Sequence, residues 1–170
     1  MGDTGYPPDE NEARPPEKLA VPLISPYARD SDFPTLSTYA LRNSLTDARQ
    51  SHVLAAYAIQ QLQRRRFAIV HPQDAYGRSL AEHFRRQVEQ LQGQVVVVIG
   101  YPSETRDFRA VFEQLRAVQY EVLFLPDYAD SIAMLLPALA PHLPPKVQLL
   151  GSDGWNSPEI STIEKRLIEG

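Results

Sequence analysis

Five side chains in this sequence have the types and positions to do chemistry at one edge of a fold: Tyr76, Asp127, Tyr128, Asp153 and Trp155. Each lies in a short polar turn that follows an apolar run. "HPQDAYG" follows Phe67–Val70, "PDYAD" follows Val122–Leu125, and "GSDGW" follows Val147–Leu150. A fourth turn of the same kind, "GYPSETRDF", follows Val95–Ile99. Aromatic rings with a few fixed carboxylates suit the wall of a small-molecule cleft, where rings supply contact area and acids fix orientation. The plainer alternative is that Tyr76 and Trp155 only cover the end of a sheet. A phosphate site is excluded at these turns, since none carries G-x-G-x-x-G or G-x-x-x-x-G-K-[ST] to bring backbone N–H groups close to the anion. Nucleophilic catalysis lacks its parts. There is no cysteine, and Ser25, Ser79 and Ser152 stand outside any G-x-S-x-G elbow. Asp74 reads as a helix cap rather than a base, and Asp107 as a first-turn acid favoured by the helix dipole.

The elements that must position these residues are legible from the apolar pattern. "RRFAIVH", "QVVVVIGY", "EVLFLP" and "KVQLLG" read as strands. The second, continuously apolar and β-branched, is expected to be covered on both faces. Between them run helical patterns. "SLTDARQSHVLAAYAIQQLQ" has Ser44 or Thr46 as its cap and Val53, Leu54, Tyr57, Ala58 and Leu62 as its inward stripe. "RSLAEHFRRQVEQLQG" turns Leu80, Phe84, Val88 and Leu91 inward and stops at Gly93. "TRDFRAVFEQLRAVQ" buries Phe108, Val111, Phe112 and Leu115, and "ADSIAMLLPALA" carries Pro137 where its last turn is expected to kink or end. "SPEISTIEKRL" reads as a short final helix. Strands alternating with helices over short connections give right-handed βαβ units: an α/β fold with a Rossmann-like parallel sheet and helices on both faces.

The amino-terminal part differs. Residues 1–18 lack periodicity and apolar content and are expected to be a disordered lead-in. They have neither the basic start nor the apolar core of a secretory signal. "LAVPLIS" is at best an edge or irregular strand because of Pro22. The turn-rich stretch after it is long for a loop in a compact domain, with one short extended piece at Tyr39–Arg42.

The formal net charge of −4 gives no reason to expect nucleic acid or an anionic membrane as a partner. No apolar run approaches the roughly 20 residues of a membrane-spanning helix. His52, His71, His83 and His142 are far apart, and with no cysteine they offer no metal-ligand spacing, so neither metal nor cofactor is expected.

Several segments together resemble the type I periplasmic binding proteins, and within them the leucine/isoleucine/valine-binding receptors of ABC transporters. The resemblance spans residues 19–170. It is carried by D-x-Y-G at Asp74–Gly77, Y-x(5)-D-F from Tyr101 to Phe108, and G-x-D/E-G at Gly151–Gly154, in the family's order and spacing. It implies two Rossmann-like lobes closing on an amino acid or similar amine-bearing solute. It also implies an ABC permease as partner of the full-length protein, a periplasmic or extracytoplasmic location, and no enzymatic activity. Against that plan the chain divides into the lead-in, a remnant of the first lobe and crossover at 19–43, and a second-lobe domain at 44–170.

The family's site positions carry over one at a time. The S-P-x-A turn from Ser25 to Ala28 corresponds to backbone and hydroxyl groups that hold the ligand's carboxylate and ammonium, with Arg29 here where relatives have a small hydroxyl residue. Tyr76 corresponds to the cleft-wall tyrosine. The aromatic of the third turn falls at Tyr128, with Asp127 next in register. Asp153 corresponds to the acid that meets the ammonium, an Asp where the branched-chain binders have Glu, with Trp155 close by. An alternative from the same resemblance is a protein-interaction module of the kind that activates penicillin-binding proteins.

Overall fold

The computed structural model describes residues 22–29, 33, 38–158 and 160. The expected lead-in at 1–18 and the body of the expected final helix lie outside the described residues. The chain forms two compact units, residues 1–50 and 51–170.

In the first unit, β1 (Leu23–Ser25) pairs in parallel with β2 (Ala40–Arg42), Leu23 opposite Ala40 and Ser25 opposite Arg42. The extended piece expected at Tyr39–Arg42 is therefore a strand. This two-stranded ladder is separate from the main sheet. Helix α1 (Asp47–Ala56) starts at Thr46, whose hydroxyl accepts the Arg49 N–H at 3.0 Å.

The second unit is built on four parallel strands: β3 (Arg66–Pro72), β4 (Gln94–Tyr101), β5 (Val122–Leu125) and β6 (Gln148–Gly151). Their order across the sheet is β4-β3-β5-β6. In β3 and β5 the side chains alternate between two dry faces, as a strand's period of two requires. Phe67, Ile69, Val122 and Phe124 pack with Ala55, Ala58 and Ile59 and with Leu80, Phe84 and Val88 of helix α2 (Ala75–Gln90). Ala68, Val70, Leu123 and Leu125 face the other way. They meet Val111, Phe112 and Leu115 of α3 (Arg109–Arg116) and Ile132, Leu135 and Leu136 of α4 (Ala129–Leu139). Pro137 sits in the last turn of α4, and a 3₁₀ turn over Ala140–His142 follows, in line with the missing proline N–H.

Three local expectations are corrected. In α1 and the π-helical turn that extends it over Tyr57–Gln61, the inward stripe is Ser51, Ala55, Ala58 and Ile59, while Val53 and Tyr57 are exposed. Ala58 is buried as expected and Leu54 is half-buried against the same core, so the expected stripe fails at Val53 and Tyr57. Strand β4 is an edge strand with Val98 exposed, because the chain crosses past β3 before laying down β5. At the end of α2 the left-handed residue is Gln92, at φ 61°, and the Gly93 N–H closes back on the Val88 carbonyl at 2.8 Å. Gly93 is needed for space instead: a Cβ there would lie 2.8 Å from Val88.

Phe84 is fully buried, edge-on to Phe67 at 5.8 Å and stacked on Phe124 at 4.2 Å. Phe84→Ala is expected to cost about 3–5 kcal/mol, from lost transfer energy plus a cavity between α2 and the sheet. Urea denaturation reads this as a lowered midpoint at unchanged slope. Tyr120, packed in the core on the α3/α4 face, has its phenol pushed up to about 12 by burial. A pKa raised in the folded state contributes stability that is complete below the unfolded value near 10 and is lost as pH rises from there towards 12. Two units correspond to about 2–3 kcal/mol. Tyr120→Phe is expected to flatten the alkaline fall in stability over that window, measured by urea midpoints from pH 9 upwards.

Candidate functional site

The strand order reverses between β3 and β5: the chain leaves β3 through α2 on one face, and leaves β5 through α4 on the other. At such a switch point the two following turns diverge and leave a crevice beyond the carboxyl ends of the strands. Tyr76, in the first turn of α2, and Tyr128, the residue before α4, stack across it, ring centroids 4.6 Å apart and 27° between planes. Tyr128 remains 46% exposed, so one face of the pair is open to solvent.

The Tyr76 hydroxyl gathers the turn after β6. It donates to Asp153 Oδ1 at 2.7 Å and accepts from Ser152 Oγ at 2.8 Å and from the Gly154 N–H at 3.1 Å. One phenol proton and two lone pairs account for all three bonds. Gly154 fits only without a side chain, since a Cβ would lie 2.6 Å from the Asp127 carbonyl oxygen and 2.9 Å from the Tyr76 hydroxyl. Asp153 itself is exposed. The arrangement presents two aromatic rings and a solvent-facing carboxylate on one edge, a set able to meet a solute that combines an apolar part with a cation.

Behind this edge the charges are handled differently. Asp127 is 2% exposed, and its carboxylate accepts the Tyr101 phenol at one oxygen and the Tyr128 N–H, at 2.7 Å, at the other. Burial pushes the Asp127 carboxyl upward, opposed by those two hydrogen bonds and reinforced by Asp74 and Asp130. Burial, with Asp127 beside it, likewise raises the Tyr101 phenol. Asp74 caps α2, accepting the Gly77 N–H at 2.7 Å, as its place in the turn suggests. Asp107 is held down to about 2 by the Arg109 side chain and backbone that bond to it. Trp155 lies over Gly151, where a Cβ would fall 2.2 Å from a ring carbon, and donates its indole N–H to the Leu125 carbonyl at 3.0 Å. Its geometry is that of a plug over the end of β5.

The structure thus brings together Tyr76, Tyr128 and Asp153 at the surface of one edge, with Asp127 and Trp155 beneath. Ser25 and Ala28 belong to the other unit. There the Ser25 hydroxyl accepts the Ala28 N–H at 3.0 Å, and the Ala28 carbonyl accepts the Ser44 hydroxyl at 2.6 Å, so this turn is closed on itself. Sequence reasoning missed Tyr101, Ser152 and Gly154 as parts of the site. Tyr101 carried a readable signal: a tyrosine ending an apolar strand on the same face as Ile99 brings a hydroxyl that burial obliges to find a partner. No group of three or more His, Cys, Asp or Glu able to hold a metal occurs among the described residues. No described helix is long and apolar enough to cross a membrane.

A family model described as periplasmic binding protein matches residues 17–170. This chain belongs to that family. Within it, the leucine-specific-binding protein of Salmonella typhimurium is 26% identical over 156 residues, which cover 91% of this chain and 42% of that protein. The chain therefore spans about two fifths of the length of this curated relative. Among solved structures, the leucine binding protein LivK of Thermotoga maritima superposes with a TM-score of 0.78 at 22% identity, over 94% of this chain and 45% of that one. A solute binding protein of an ABC transporter from R. palustris, in complex with 4-hydroxybenzoate, does so with a TM-score of 0.67 at 20% identity, over 85% and 40%. The periplasmic binding protein fold is thus that of this chain, of which it forms a part, and the family is one of solute-binding proteins rather than enzymes.

The fit at Gly154 can be tested directly. Gly154→Ala is expected to cost about 1–3 kcal/mol, as overpacking does, and to displace the Tyr76 hydroxyl. Near-ultraviolet circular dichroism should lose tyrosine ellipticity while the far-ultraviolet spectrum stays unchanged.

Proposed function

We propose that this chain is a solute-binding module: most of one lobe, with a small part of the other, of an ABC-transporter substrate-binding protein. It works outside the cytoplasm, handing an amino acid or similar amine-bearing solute to a permease. The observation that carries this reading is the Tyr76–Tyr128 stack beside the exposed Asp153 carboxylate at the sheet's switch point. The rings give an apolar wall, and the carboxylate is positioned by a phenol to meet an ammonium. The names of the curated relatives support an amino acid, while the 4-hydroxybenzoate complex supports only the broader class of small solutes. The enzyme-activating alternative draws no support from these relatives.

A ligand that meets one lobe loses the contacts of the second, so affinity is low. The 170-residue chain is expected to bind L-leucine with a Kd of about 1 mM or weaker, roughly −4 kcal/mol. Micromolar binding by the monomeric chain in calorimetry would contradict this. In a two-lobed protein carrying this chain, Asp153→Asn is expected to weaken L-leucine binding about 30-fold or more, as losing a charge-assisted bond to a buried ammonium does. The unliganded Tm should hold, because Asn can still accept the Tyr76 hydroxyl. Unchanged binding together with a lower Tm would make Asp153 a turn residue only.

A further inference from the structure

Asp127 precedes the exposed ring of the stack but is itself shut away from solvent. A carboxylate buried to that degree persists only where its oxygens are met by donors. The donors here are the Tyr101 phenol and the Tyr128 backbone N–H. Tyr101 ends β4, so its phenol reaches across the end of β3 to the turn that follows β5. Its ring is fixed in turn: 4% exposed, and edge-on to Phe108 at 5.4 Å and 90°. Its carbonyl accepts the Gln73 N–H at 2.7 Å, at the exit from β3. On the far side, Gly154 abuts the Asp127 carbonyl.

We propose that Tyr101 and Asp127 are positioning residues for the cleft wall, the phenol holding the carboxylate so that the carboxylate holds the Tyr128 N–H and keeps the Tyr128 ring on Tyr76. Asp127 serves a ligand through Tyr128 and makes no contact of its own. The charged groups facing it are Asp74, from the turn after β3, and Asp130, in the first turn of α4, both acidic. No described cation competes with Tyr101 for the carboxylate, so the phenol is the group that fixes its orientation. The consequence for binding rests on the reading of this edge as a ligand cleft, whereas the consequence for the stack does not.

The test uses the whole chain with isotopically labelled tyrosine rings and reads the nuclear Overhauser effect between Tyr76 and Tyr128. The wild type should show it, and so should Tyr120→Phe, which removes a buried phenol that has no part in the pair. Tyr101→Phe and Asp127→Ala should lose it. Asp127→Asn should retain it, because an amide oxygen can still accept the Tyr128 N–H. If Tyr101→Phe does not fold, the contrast between Asp127→Ala and Asp127→Asn carries the same comparison. An intact inter-ring effect in a folded Tyr101→Phe or Asp127→Ala chain overturns the proposal. Saturation-transfer NMR with L-leucine then separates the two readings. Loss of the inter-ring effect with leucine contact unchanged overturns the role in binding. Absence of leucine contact in the wild type counts against the cleft reading, while the ring comparison still decides the pair.

Discussion

Both faces of the central strands β3 and β5 are dry, and this constraint shapes the rest of the second unit. Phe67 and Ile69 point to one side, and Ala68 and Val70 to the other, each set fully buried. A parallel sheet of this kind needs helices on both sides. Right-handed crossovers supply them only if the chain changes direction across the sheet. The change falls between β3 and β5, and the turns leaving those strands diverge there. This divergence is a consequence of covering two apolar faces with one chain, and the tyrosine pair stacks where the turns part.

The polar groups at this edge are graded by depth. At the surface the Tyr76 hydroxyl organises the 152–154 turn and holds Asp153 in view of solvent. Beneath it, Asp127 is enclosed and tied to Tyr101. The two carboxylates occupy different environments: Asp153 faces solvent, and Asp127 faces the backbone N–H that it accepts.

Much of this was legible in the sequence because it depends on local rules. The four strands follow from apolar runs such as "FAIV" and "VLFL", and the α2 and α3 stripes from residues three and four apart. The placing of Tyr76, Tyr128 and Asp153 at one edge follows from the rule that ligands gather at carboxyl ends of parallel strands. The failures share a cause. In α1, Leu54 and Ala58 lie inward as their spacing suggests, but Ser51 and Ala55 are small and leave a weaker apolar signature than Val53 and Tyr57, which face out. Strand β4 was expected to be covered on both faces, but its apolar run does not reveal that it lies at the sheet's edge, where Val98 is exposed. The Tyr101–Asp127 pair joins residues 26 apart in sequence across an intervening strand, a contact that only the strand order creates.

The edge formed by the turns after β3, β5 and β6 is the surface proposed to face a ligand. Backbone-amide chemical-shift mapping tests it most directly, with the 170-residue chain titrated with L-leucine to high-millimolar concentration. Saturable shifts are expected to concentrate at residues 74–77, 126–129 and 152–156, with the outer turns of α2 and α3 unmoved. Saturable shifts that bypass these three turns and cluster elsewhere on the chain would contradict it.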